Sequence, residues 1–236
     1  MRKNKLLLGC ALSSMLLTGC ATSKIDEEVT KEEALEKEKE LLEKEKQEKV
    51  NKAISEYVKD ESPLYIDGIL VVNKEYNIPK NFAYDLDEEV KAQFELMQQD
   101  AKNDGLDINI RSGFRGHEVQ AMLYNNYVAR DGLEKASRYS AKPGHSEHET
   151  GLAIDISNGD SQRSIGDWFT STPQADWLYK NAHKYGFILR YPEGKEDITG
   201  YKYESWHYRY VGTEISKHFN QNNLTLEEYL GLKKDS

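Results

Sequence analysis

Apolar and polar positions divide the chain into three stretches. Leu6 to Leu17 is a short, nearly uninterrupted apolar run. Residues 24–60 are dominated by Lys and Glu and carry only a thin apolar stripe, Leu35 and Leu42 one heptad apart, then Val50, Ile54 and Tyr57. A coiled coil needs a longer and stricter repeat. Glu33/Lys37, Glu40/Lys44, Glu45/Lys49 and Glu48/Lys52 have the i,i+4 spacing of helical ion pairs, so this stretch is expected to be a solvated helical stalk, rising ~1.5 Å per residue. Beyond Pro63, the run Ile69-Leu70-Val71-Val72 marks the start of a folded domain, placed at residues 61–236.

Within that domain the period alternates between helix and strand. Val90, Phe94, Met97 and Ala101 follow a helical spacing over 86–103, with Asp87, Glu88 and Glu89 in the first turn. Val119, Met122 and Leu123 predict a second amphipathic helix over 116–130, stopped by Asp131-Gly132. Thr172-Pro173 is a cap and first-turn pair for a helix running to Tyr185-Gly186. Asp107–Arg111, Leu152–Ser157, Phe187–Tyr191 and Trp206–Val211 read as strands. Strands and helices mix without strict βαβ alternation, which predicts an α+β domain with a mainly antiparallel sheet and flanking helices.

The N-terminus changes the picture of where the chain resides. Arg2, Lys3 and Lys5 precede the apolar run, which is shorter than the about 20 residues of a membrane-spanning helix. It ends in Leu17-Thr18-Gly19-Cys20, small residues before a Cys, as in the lipobox at which bacterial lipoproteins are acylated and cleaved. Residues 1–19 are therefore expected to be a lipoprotein signal. Residues 20–60 would then be a lipidated Cys20 and its stalk, holding the domain at the extracytoplasmic face of the membrane. Cys10 leaves with the signal, so the mature domain has neither a disulfide nor a cysteine nucleophile. The formal charge of −9 becomes more negative once the three basic residues are lost, which argues against nucleic acid as a partner. A monomer is expected.

The chain has no Gly-x-Ser-x-Gly elbow, no Ser-x-x-Lys and no phosphate-binding glycine loop. His, Asp and Glu concentrate instead in His145-Ser146-Glu147-His148-Glu149-Thr150-Gly151-Leu152-Ala153-Ile154-Asp155 and in Glu204-Ser205-Trp206-His207-Tyr208-Arg209-Tyr210. Strand alternation puts Leu152, Ile154 and Ile156 on a core face and Ala153, Asp155 and Ser157 on the other. It likewise sets Trp206, Tyr208 and Tyr210 against His207 and Arg209. An Asp between two isoleucines is costly unless it is paired or binds a metal. Two such strands can place His148, Asp155 and His207 around one ion, and two imidazoles with one carboxylate suit catalytic zinc. His145 is a rival ligand, and Glu147 and Glu149 are rival bases. Glu204, three residues before His207, falls on the opposite face unless the chain bends near Ser205.

Four separated motifs together resemble the VanY-type D-alanyl-D-alanine carboxypeptidases and their L,D-carboxypeptidase relatives. They are Val71-Val72-Asn73-Lys74 with Ile78-Pro79, Ser112-Gly113-Phe114-Arg115 with Gln120, Ser146-x-His148-x-x-Gly151-x-Ala153-x-Asp155, and Glu204-x-Trp206-His207. The resemblance covers roughly residues 68–212. It implies a hedgehog/D-Ala-D-Ala peptidase-like fold, with His148, Asp155 and His207 as Zn2+ ligands and Glu204 as catalytic base. It also implies that Arg115, Gln120 and Ser146 are substrate contacts and that the substrates are the stem peptides of peptidoglycan. In that reading the terminal D-alanine is hydrolysed off, and Arg115 grips the chain-end carboxylate through its planar fork. Tyr139, Trp168, Tyr191 and Trp206 are candidates to line the peptide groove. A wall-binding module without activity, and a zinc endopeptidase on cross-linked stems, are the competing readings. The motifs leave D,D- and L,D-specificity open.

Overall fold

A computed structural model of the chain describes residues 19–160, 163–219 and 222–232, with side chains from residue 31 onward. The expected signal segment, with Cys10, lies outside these residues except for Gly19, and nothing is described of the Cys20 side chain. The described residues fall into two units that divide between Glu48 and Lys49, within helix α1 (Gly19–Glu56). In the first, α1 is exposed throughout residues 31–45, with Leu35, Leu41 and Leu42 open to solvent. Among the described residues no helix is long and apolar enough to cross a membrane.

The second unit begins earlier than the expected residue 61, because the thin apolar stripe of α1 is a docking face at its end. Val50 is buried in one cluster with Leu64, Ile66, Ile69 and Val71, and Ala53, Ile54 and Tyr57 pack beside it. Lys49 and Lys52 reach Asp67 and Glu56 rather than Glu45 and Glu48. The hydrophobic partners come from a hairpin, β1 (Leu64–Ile66) and β2 (Ile69–Val71). Its Asp67-Gly68 turn has positive φ at both residues, the geometry that suits a two-residue hairpin.

Helix α2 (Glu88–Asn103) buries Val90, Phe94, Met97 and Ala101, and the Asp87 carboxylate accepts from the Glu89 and Val90 amides. Both features follow the expected spacing. Strand β3 (Asn109–Ser112) leads to α3 (His117–Asp131) and the short α4 (Leu133–Ser137). The buried face of α3 is not the expected one. Gln120 and Tyr124 are buried, while Val119 and Met122 are exposed: Gln120 borders a cavity, and Tyr124 turns to α4, its hydroxyl 3.3 Å from Ser137 Oγ.

A single 3₁₀ turn (Glu147–Thr150) precedes β4 (Ala153–Ser157). Helix α5 (Pro173–Asn181) is capped by the Thr172 hydroxyl, which accepts from the Ala175 amide, and continues as a 3₁₀ turn to Gly186. Strand β5 (Phe187–Leu189), α6 (Glu196–Thr199), β6 (His207–Tyr210), α7 (Thr213–Ser216) and α8 (Leu226–Leu230) complete the unit. The four-stranded sheet has the order β3-β4-β6-β5 and is antiparallel throughout, in keeping with the expected α+β class. One sheet face, with Ile154, Ile156 and Tyr208, packs on Val90, Phe94 and Met97 of α2 and Leu178 of α5. The opposite face carries Asp155 beside His207 in direct register, with Ala153 beside Arg209.

Gly151 joins the 3₁₀ turn to β4 and tolerates no substitute. Its φ is +74°, and a Cβ there would lie 2.4 Å from the Asp85 carbonyl oxygen. The Asp87 amide donates to the Gly151 carbonyl at 3.0 Å, so the backbone has no room to retreat. Gly151→Ala is expected to lose about 1–3 kcal/mol of stability from the strained conformation, with more from the clash. Denaturant unfolding checks this; an unchanged midpoint would show that the turn relaxes.

Candidate metal centre and active site

The register of β4 and β6 sets Asp155 opposite His207, and the 3₁₀ turn swings His148 over the same face. The Asp155 carboxylate lies 3.0 Å from His207 Nδ1 through Oδ1 and 3.3 Å from His148 Nε2 through Oδ2. One donor atom from each of His148, Asp155 and His207 falls within 4.8 Å of the others, and all three residues are buried. A bulge between Ile110 and Ser112 ends the β3 ladder beside Asp155 and turns the Ser112–Arg115 segment toward the site.

The ring orientations are fixed from outside. His148 Nδ1 sits 2.8 Å from the Gly113 carbonyl oxygen, so it carries the proton and leaves Nε2 facing Asp155. The Arg115 amide donates back to the His148 carbonyl at 3.1 Å. His207 Nε2 sits 3.3 Å from Glu147 Oε2, which leaves Nδ1 facing Asp155. Two nitrogens and one carboxylate, each with its lone pair turned to one point, make a donor set that fits zinc. The charges respond accordingly. Burial would raise the Asp155 carboxyl, but His148 and His207 hold it well below the usual range. Burial lowers His148 despite Asp155. Burial works against a charged His207 as well, yet Asp155 and Glu147 outweigh it and raise its pKa to about 9, so an ion bound at Nδ1 would displace a proton from this ring.

Glu204 reaches this face through a turn rather than a bulge. The His207 amide donates to the Glu204 carbonyl at 3.1 Å, and the Glu204 amide to the Tyr191 carbonyl at 3.1 Å. The chain folds back at Ser205-Trp206, which meets the requirement for a bend and puts Glu204 beside His207. Burial pushes the Glu204 carboxyl up to about 8, Asp155 adding to the rise and His207, Lys202 and Arg115 opposing it. A surface ion pair is excluded as its role: Lys202 pairs with Asp167 and Arg209 with Glu147.

These groups line one cavity of about 400 Å³, together with Arg115, Gln120 and Ser146. Arg115 Nη2 donates to Ser146 Oγ at 3.4 Å, and its buried Nε has no partner among the described residues. Gln120 Nε2 donates to the Ala141 carbonyl at 2.6 Å, and its Oε1 has none. Tyr139, Tyr191 and Trp206 line the cavity, and the Tyr191 ring stacks on His207 with centroids 4.9 Å apart. Trp168 does not line it; it packs edge-on against Phe169 under Arg163.

The rival residues take structural places. His145 Nδ1 is tied to the Asn73 carbonyl at 2.7 Å, outside the donor cluster. Glu149 accepts from the Gly144 amide at 2.8 Å and meets His117 Nδ1 at 3.0 Å, which braces the loop. Glu147, the other rival base, is buried. Arg190 and Arg209 both contact its Oε1 at 2.8 Å and, against the effect of burial, hold its carboxyl below the usual range. Its position beside His148 was visible in the sequence; its partners, distant along the chain, were not.

Comparison with known proteins places this geometry. The D-alanyl-D-alanine carboxypeptidase family VanY matches residues 83–213. The chain belongs to the VanY family. The protein named putative carboxypeptidase YodJ of Bacillus subtilis (strain 168) is 38% identical over 180 residues, 68% of this chain and 66% of that one. The chain thus spans just under two thirds of YodJ. Among solved structures, DacB from Streptococcus pneumoniae D39 is 40% identical with a TM-score of 0.65, over 76% of this chain and 97% of that one. The VanB-type vancomycin-resistance D,D-pentapeptidase VanY, solved in complex with Zn(II), is 33% identical with a TM-score of 0.59, over 68% of this chain and 97% of that one. The VanY fold and the zinc-compatible donors of this chain therefore agree, and the fold is the α+β peptidase fold that the motifs imply.

Proposed function

We propose that this chain is a zinc-dependent peptidoglycan carboxypeptidase that removes the terminal D-alanine from cell-wall stem peptides. The observation that carries the reading is the floor of one cavity, where His148, Asp155 and His207 converge beside buried Glu204, with Arg115 in the same cavity. Zinc held by His148, Asp155 and His207 would polarise the scissile carbonyl and lower the pKa of the attacking water from ~15.7 to about 7. Glu204 takes the proton of that water and hands it to the leaving amine. A carboxyl raised to about 8 by burial is a good donor to the leaving amine, and it accepts the water's proton in its carboxylate form. Arg115 offers its guanidinium fork to the terminal carboxylate, exchanging a long bond to Ser146 for a charged one. Gln120, held through Nε2, keeps Oε1 free to accept from a peptide N–H. Selection for a chain end favours a carboxypeptidase over an endopeptidase.

Tetrapeptide and pentapeptide stems differ by one D-alanine, and mass analysis of both after incubation with the zinc-loaded protein tests the reading. Release of a single C-terminal alanine from at least one stem is expected. Binding without cleavage of either would make this a wall-binding module, and cleavage inside a cross-linked stem would make it an endopeptidase.

The proposal includes a monomeric protein anchored by Cys20 outside the membrane, where peptidoglycan lies. It rests on Leu17-Thr18-Gly19-Cys20 at the end of the apolar run. Cys20→Ala is expected to release or misprocess the protein and leave the domain folded. An unmodified mature N-terminus at any other residue would refute the anchor.

A further inference from the structure

Two guanidinium groups and two carboxylates are buried together behind His207. Arg190 is 0% and Arg209 1% exposed, Glu147 1% and Glu227 5%. Buried charges persist when each is paired and hydrogen-bonded, and these are. Arg190 grips Glu227 with both terminal nitrogens, Nη1 to Oε2 at 2.9 Å and Nη2 to Oε1 at 2.7 Å. A two-pronged pair of this kind fixes the guanidinium plane. With the plane fixed, Nε points at Glu147 Oε1, 2.8 Å away. Arg209 Nη1 donates to the same oxygen at 2.8 Å, while its Nη2 donates to the Leu70 carbonyl at 2.8 Å. Asn73 Nδ2 adds a bond to Glu227 Oε1 at 3.2 Å. Both guanidinium groups therefore end on one oxygen of Glu147, and its other oxygen is left to His207 Nε2 at 3.3 Å.

Glu227 does not line the active-site cavity, and it lies on α8, beyond the residues that match the family. Helix α8 is seated by Leu226 and Leu230, which share a cluster with Val71 and Ile188. We infer that Glu227 is a positioning residue of the metal centre: through Arg190 it holds Glu147, and Glu147 sets the His207 ring so that Nδ1 faces the ion. The inference rests on the metal centre of the proposed function. It gives the C-terminal helix a part in the site. A carboxylate on Nε2 keeps the proton there and leaves the lone pair on Nδ1, and such outer partners set both ring orientation and ligand basicity. Without Glu227 the Arg190 fork loses its seat, and Glu147 is held by Arg209 alone.

The test is zinc affinity, measured on the folded full-length protein by competition with a chromophoric chelator. Glu147→Gln is expected to weaken zinc binding by about 10–100-fold, as loss of an outer hydrogen-bond partner does. Glu227→Gln should weaken it in the same direction and by no more than that. In the double variant the loss should match Glu147→Gln alone, because the relay is already cut. Val50→Ala is the control. Val50 is buried on α1, away from Glu227, Arg190 and Glu147, so the cavity it leaves should lower Tm and leave zinc affinity unchanged. The absorption bands of the cobalt-substituted protein should shift in Glu227→Gln and not in Val50→Ala. If Glu227→Gln does not fold, Glu227→Asp, which keeps the charge and shortens the reach, makes the same comparison. Wild-type zinc affinity in a folded Glu227 variant, or losses that add fully in the double variant, would overturn the inference alone. A wild-type protein that binds no zinc would overturn the proposed function with it.

Discussion

Glu204→Gln is expected to keep its zinc and its affinity for a stem peptide while turnover falls by about 10²–10⁴-fold. The amide has the shape of the carboxylate but cannot accept a proton at neutral pH. The metal donors His148, Asp155 and His207 are untouched by the change. Glu204 has no salt bridge among the described residues: its two cationic neighbours in sequence are engaged with Asp167 and Glu147. A purely structural Glu204 would therefore leave turnover near wild type, because no ion pair is there to lose. Zinc content, peptide binding and turnover need to be measured on the same preparation. Full zinc with wild-type turnover would remove Glu204 from the mechanism. Lost zinc would make it a ligand and require the donor set to be redrawn.

Removal of a metal donor should have the other large effect. The wild-type protein is expected to hold about one zinc, and chelation should abolish hydrolysis until zinc is restored. His148→Ala, Asp155→Ala and His207→Ala should each weaken zinc by more than the about 10–100-fold typical of an outer partner, since each deletes one of only three protein ligands. His145→Ala should retain the ion. Its ring is tied to Asn73 and stands outside the donor cluster. Metal analysis of the four variants, with circular dichroism to confirm folding, decides the assignment. Zinc lost from His145→Ala and kept in His148→Ala would reverse it.

Much of this site was legible in the sequence because its geometry is local. The alternation of Leu152 to Ser157 fixed which face carries Asp155, and the spacing of Val90, Phe94, Met97 and Ala101 identified the helix that covers the other face. Even the bend at Glu204 was demanded by a three-residue offset, and a turn supplies it. Features that depend on distant partners were not readable. Val50 looks like one residue of a weak stripe until the β1–β2 hairpin covers it. Glu147 reads as a rival base until Arg190 and Arg209 converge on it. On α3, apolar Val119 and Met122 were the natural choice for a buried face. The helix instead buries Gln120, which borders the active-site cavity, and Tyr124, whose hydroxyl meets Ser137 of α4, neighbours that only the tertiary fold reveals.

Anomalous diffraction at the zinc edge, from crystals of the zinc-loaded protein, tests the metal centre most directly. The geometry predicts one peak bounded by His148 Nε2, a carboxylate oxygen of Asp155 and His207 Nδ1, with Glu204 nearby but not a ligand. A peak bound to His145, to His207 through Nε2, or to Glu147 would contradict the account.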